Sequence, residues 1–164
     1  MTFEHLLKLS TWQSNPSSCD ITLGSDVIGS NGNFTLFLVI QHADLETQEQ
    51  YLPMMREAVK NKKASAYHLA LLGDRVALLR GKKQIYGSQV ARDKETNAFY
   101  ILPLLDPYNV DKRRAEVGLQ PLAEYVKEWQ IKWDVEQYKK DLPAIEAKEK
   151  ARLKGFQLVR PGRM

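Results

Sequence analysis

Apolar positions in the first half of the chain follow helical spacing. The run FTLFLVI at 34–40 is almost continuously apolar, which fits a buried helix or a buried strand, and Asn31 or Asn33 ahead of it favours a helix by offering an N-cap. The stretch before it, residues 14–33, is rich in serine, asparagine and glycine and predicts a long loop. A second helix is predicted over 47–63, opened by a T-x-x-Q capping box.

The third predicted helix runs from Ser65 to Arg80, ends at Gly81, and is apolar nearly all round. Asp74 and Arg75 interrupt its apolar faces, and charges placed in a core need partners. Adjacent helical residues point about 100° apart, so these two are not expected to satisfy each other. They form either a buried tie between helices or part of a site. The candidate partners are arginines for Asp74 and aspartates for Arg75: Arg113, Arg114, Asp44, Asp106 and Asp111.

After residue 82 the pattern changes to alternation. Residues 83–91 and 97–105 are strand-like around a polar turn and predict a β-hairpin. A short helix is predicted over 110–117, and a longer one over 121–140 carries an aromatic stripe. The fold class is therefore mainly α with a small β-hairpin (α+β), its helices packed around the buried central helix that carries Asp74 and Arg75.

The positive charge of the chain is concentrated at its C-terminal end. The net charge is +4, but residues 148–164 hold six basic residues against one acidic residue, which leaves about −1 for residues 1–147. We therefore expect one globular domain over 1–147 and a weakly structured basic tail over 148–164. A nearly neutral body argues against a nucleic-acid partner. No apolar run reaches the ~18–20 residues of a membrane helix, and no leader is visible, so a cytoplasmic location is expected.

Few residues carry recognisable chemistry. His42 follows the apolar run where the core opens to solvent, and it can act as a helix cap or as a general base. With Asp44 it lacks a third metal ligand, so no metal is expected, and nothing indicates a cofactor. Cys19 is a lone thiol without a disulfide partner. No nucleophilic triad or glycine-rich phosphate loop is present.

Four motifs occur in order between residues 27 and about 126: QHAD at 41–44, LLGDRV at 71–76, GKKQIYGSQ at 81–89 and DPYNVDKRRAEVGLQPLAEY at 106–125. Together they resemble an uncharacterised bacterial domain family of unknown function. The resemblance implies which positions matter and implies no activity.

The motif positions suggest a pocket that binds a small polar or anionic ligand. If it is catalytic, His42 is the general base and Asp74 orients it, in acid–base or hydrolytic chemistry. The ligand contacts would come from two glutamines, a tyrosine and three arginines: Arg75, Gln84, Tyr86, Gln89, Arg113 and Arg114. Gly87 would let backbone approach the ligand. The alternative is a non-catalytic interaction module whose polar network is structural, and the sequence leaves both open along with the oligomeric state.

Overall fold

A computed structural model describes residues 25–159 of the chain, with side chains over 28–155. Three helices come first: α1 (Ser25–His42), α2 (Leu45–Lys60) and α3 (Ala66–Leu79). The run at 34–40 is helical, as favoured. Cys19, residues 14–24 of the predicted loop and the last five residues lie outside the described range.

The starts of α1 and α2 differ from the predictions. Residues 25–33 are helical rather than loop, so Asn31 and Asn33 are not caps, although the helix breaks at Gly29 (φ 72°, ψ 168°). The N-cap of α2 is Asp44, whose carboxylate accepts a hydrogen bond from the backbone N–H of Thr47 at 2.9 Å. The predicted capping box was therefore placed three residues late. The end of α3 is as predicted, with Gly81 at φ 71°.

The central position of α3 is confirmed. One core cluster lies where α3 packs on α1 and α2, and Leu72 is completely buried in it. The other buried members are Phe37, Ile40, Leu52, Met55 and Val76.

The hairpin is shorter than predicted. Strand β1 (Val90–Arg92) pairs antiparallel with β2 (Phe99–Ile101), with Ala91 opposite Tyr100. Residues 83–89 do not extend β1, and they form a loop whose one bridge joins Gln84 to Leu104. The fold class, mainly α with a small hairpin, is confirmed.

The predicted helix over 121–140 is wrong in extent because Gln130 adopts a left-handed conformation (φ 59°) that interrupts it. The elements after the hairpin are a 3₁₀ turn (Pro107–Asn109), α4 (Val110–Glu116), α5 (Leu122–Tyr125), a second 3₁₀ turn (Val126–Trp129) and α6 (Val135–Val159). A second core cluster joins them to the hairpin through Ile101, Leu104, Val110, Leu122, Val126 and Tyr138.

The predicted weakly structured tail is also corrected, because α6 continues through residues 148–159. Glu149 is only 4% exposed there and pairs with Arg152 one turn on, which gives this basic segment a buried contact. Among the described helices none is long and apolar enough to span a membrane.

Candidate functional site

Asp74 is the centre of a buried hydrogen-bond network. It is 1% exposed on α3. Its Oδ1 accepts from the backbone N–H groups of Ile85 (2.7 Å) and Tyr86 (3.1 Å), and its Oδ2 accepts from those of Tyr86 (3.1 Å) and Ser88 (3.0 Å). The predicted need for a partner is met by backbone donors rather than by the arginines at 113–114. Burial raises the pKa of Asp74, although these N–H bonds act in the opposite direction.

The N–H groups that bond to Asp74 belong to residues 84–89, which we call the anchor loop and which begin at Gln84. Its side chain is fully buried, and Nε2 donates to the carbonyls of Gln89 (3.0 Å) and Leu102 (2.9 Å). Its Oε1 accepts from the backbone N–H of Gln89 at 2.9 Å. The alternating polar residues of this segment therefore belong to a loop, and the backbone of that loop bonds to the buried side chain of Gln84.

Both arginines of α4 donate hydrogen bonds to backbone carbonyls of the anchor loop. Arg114 is completely buried, donates from Nη1 to the Tyr86 carbonyl at 2.6 Å and lies 4.7 Å from the centroid of the Tyr125 ring. Arg113 donates from Nε to the Ile85 carbonyl at 3.0 Å. Burial lowers the pKa of Arg114, so this cation depends on the acceptors around it.

Two further motif positions, Tyr86 and Gly87, lie within the anchor loop. The half-buried Tyr86 has a raised pKa because of burial, with smaller contributions from the charges of Asp74 and Glu116. Gly87 has φ 68°, and a Cβ there would lie 3.1 Å from a methyl carbon of Leu122. The glycine therefore admits a core side chain, which corrects the expectation that it makes room for a ligand.

A cavity of about 550 Å³ lies on the other side of α3, between α2, the hairpin and α6. We call it the Arg75 cavity. Its polar side chains are Asp44, Gln48, Arg75, Gln89, Arg92 and Arg152. Its larger aliphatic side chains are Leu45, Leu78, Leu79, Val90, Leu102 and Leu153.

Arg75 differs from the other two arginines of this cavity. Arg152 pairs with Glu149 through two contacts of 2.7 and 2.6 Å, and Arg92 donates to the Asn97 carbonyl at 3.1 Å. Arg75 is half-buried, yet within residues 25–159 no hydrogen bond or salt bridge engages its guanidinium. Burial, followed by the nearby charge of Arg152, lowers the pKa of Arg75. The predicted aspartate partners do not meet it.

The structure thus divides the predicted site residues. Arg75 and Gln89 line the cavity, whereas Asp74, Gln84, Tyr86 and the two arginines of α4 build the anchor loop. His42 is exposed at the end of α1, lines no part of the cavity and is not among the hydrogen-bond partners of Asp74. The predicted pairing of His42 with Asp74 is therefore not formed, because both carboxylate oxygens are occupied by backbone.

Arg152 was missed by the sequence reasoning, which assigned it to a solvated tail. Its signal was the i, i+3 pairing of Glu149 with Arg152 on a continuing helix. The described part of the chain contains no cluster of three or more histidine, cysteine, aspartate or glutamate side chains that could hold a metal ion.

Comparison with known proteins gives one match. The model of a family of unknown function (DUF6624) matches residues 20–136, well over half of the chain. The match includes Arg75 and the anchor loop and ends before Arg152. No curated protein and no solved structure matches.

Proposed function

The chain belongs to the family of unknown function DUF6624, and since membership assigns no activity, we propose a function from the Arg75 cavity. The cavity binds a small anionic ligand, and Arg75 is its principal contact. The anchor loop is the scaffold that forms part of the wall through Gln89.

The observation that supports this proposal is the half-buried guanidinium of Arg75. Its N–H donors form no hydrogen bond to the described residues, and Arg152 beside it adds repulsion. A desolvated cation costs free energy unless an anion or acceptor compensates it. A carboxylate or phosphate fits because guanidinium offers two parallel donors to such groups.

The charge of the cavity favours an anion. Three arginines and one aspartate line it, which leaves a formal charge of +2, or +1 when Glu149 behind Arg152 is included. Asp44 is engaged as the N-cap of α2, with its carboxylate on the Thr47 N–H. A cationic concave surface with apolar walls strengthens attraction to an anion because water is partly excluded.

The alternative, a non-catalytic interaction module with a structural polar network, is supported by a different observation. The hydrogen bonds of Asp74, Gln84 and Arg114 run to the backbone of the chain itself and tie the anchor loop together, although the buried Nη2 of Arg114 has no hydrogen-bond partner in the described part of the chain. We do not extend the proposal to acid–base catalysis, because His42 lies outside the cavity lining.

The proposal is tested by titrating the full chain with inorganic phosphate and following the arginine Nε–Hε signals by NMR at constant ionic strength. We expect the Arg75 signal to shift saturably, with a dissociation constant on the order of 1 mM, or about 4 kcal/mol. Arg75→Met should weaken phosphate binding at least about tenfold. Arg56→Met is the matched control, because Arg56 is an exposed arginine of α2 outside the cavity.

Two results would overturn the proposal. One is an Arg75 signal that stays unchanged throughout the titration. The other is an equal response of Arg56, which would show general counter-ion association rather than a site.

A further inference from the structure

The aliphatic part of the Arg75 cavity narrows the class of ligand. We infer that the ligand is an amphiphilic organic anion, with one carboxylate or phosphate head on an aliphatic body. The head would bind at Arg75 and Arg152, and the body would cover the half-buried leucines of the wall. This inference rests on the proposed anion site and adds the chemical class of its occupant.

The arrangement along α3 supports a head and a body on one face. Arg75, Leu78 and Leu79 are spaced i, i+3 and i+4, so they share one side of the helix, and all three line the cavity. From α6, the same cavity is lined by Arg152 and, directly after it in the chain, Leu153. Each wall thus offers a guanidinium next to aliphatic surface.

The exposure of the aliphatic wall supports an apolar body. Leu45, Leu79, Val90 and Leu153 are each only half-buried although they lie in a concavity. Within residues 28–155 no side chain fills the cavity, so this apolar surface lacks dispersion contacts on that side. A ligand carbon chain would supply them and remove the same surface from water.

The volume of the cavity exceeds what a bare anion needs. A volume of about 550 Å³ falls within the roughly 300–1,000 Å³ that is typical of small-molecule sites. An inorganic phosphate would fill a small part of this space and leave the leucines wet. A head group with a chain of several carbons uses both the charge and the volume.

The experiment compares ligands that share a head and differ in body. Butyrate, octanoate and octyl phosphate are titrated into the full chain by calorimetry, each below its aggregation limit. Each buried methylene should tighten binding about three- to fourfold, so octanoate should bind on the order of a hundredfold more tightly than butyrate. Octyl phosphate compared with octanoate shows which head group the two arginines prefer.

Variants separate the body from the head. Leu79→Gln, and independently Leu153→Gln, should remove most of the octanoate advantage while phosphate binding stays within about twofold. Leu38→Gln is the matched control, because Leu38 is 39% exposed on α1 and lies outside the cavity. Unchanged thermal melting of each variant shows that the fold is retained.

The outcomes distinguish the two proposals. If phosphate and butyrate bind through Arg75 but octanoate binds no more tightly, the amphiphile inference fails and the anion site stands. If octanoate binds equally well to Arg75→Met, the chain is adsorbed elsewhere and the inference also fails. If no anion binds at all, the proposed function fails and takes the inference with it.

Discussion

Replacing Asp74 by asparagine tests whether the anchor loop is held by the carboxylate. The carboxylate accepts from three backbone N–H groups through both oxygens, whereas an amide keeps one acceptor oxygen. If that oxygen takes the Oδ1 position, the N–H groups of Ile85 and Tyr86 keep an acceptor and the N–H of Ser88 faces an NH₂ group. One buried donor is then left without a partner.

The magnitude follows from that single donor. A buried N–H without an acceptor costs about 1–3 kcal/mol. The other two bonds lose charge assistance, but relief of desolvation offsets this loss, since burial raises the pKa of Asp74 despite its hydrogen bonds. We therefore expect Asp74→Asn to lower the free energy of unfolding by about 1–3 kcal/mol at neutral pH, or a Tm lower by roughly 3–10 °C.

Urea unfolding followed by tryptophan fluorescence measures this change, and an unaltered m-value shows that the same surface is exposed.

The matched control is Asp141→Asn, because Asp141 is exposed on α6 and accepts one bond from a side chain one turn away. It should stay within about 0.5 kcal/mol of wild type. If Asp74→Asn also stays within that margin, the carboxylate does not hold the loop as described.

Three further changes probe single contacts. Gln84→Leu leaves the Gln89 N–H without its acceptor and should lower the free energy of unfolding in urea by about 1–3 kcal/mol. A variant as stable as the wild type would contradict this. Gly87→Ala forces a left-handed φ of 68° on alanine and brings its Cβ against Leu122, so the free energy of unfolding should fall by at least ~1 kcal/mol. A smaller decrease in urea unfolding would contradict this expectation. Burial lowers the pKa of His68, so the unfolded chain protonates first and stability is lost as the pH falls below 6.5 through the folded value. His68→Phe keeps the stacking on Phe37 (4.3 Å, 11°) and should remove this acid sensitivity in thermal melts, whereas an unchanged pH profile would exclude His68 as its source.

Local signals predicted most of the helical part of the fold. The end of α3 was predictable because a glycine at φ 71° terminates it within the same few residues. The start of α2 was misplaced because Asp44 and Thr47 are both plausible caps, and only the chain direction after α1 decides between them.

The anchor loop could not be predicted because its partners are distant in sequence. The alternation in residues 83–89 is typical of a strand, but the N–H groups that a strand would pair with its neighbour are taken by Asp74, 11 to 14 residues earlier. The place of Asp74 on an apolar helix predicts that it needs a partner, and arginines are the partners that the sequence displays. Backbone donors cannot be singled out from the sequence, since every residue except proline carries one.

The sequence allows Asp74 and Arg75 to be a structural tie or part of a site, and their adjacency on α3 makes the two roles compatible. Because neighbours on a helix point about 100° apart, Asp74 faces the anchor loop while Arg75 faces the cavity. The anchor loop ends at Gln89, which also lines that cavity, so the carboxylate bonds to Ile85, Tyr86 and Ser88 order the segment that leads into the cavity wall. For the proposed anion, preorganisation of this kind would lower the entropy cost of binding, because the wall is already ordered. The structural role of Asp74 is therefore compatible with the binding role proposed for Arg75.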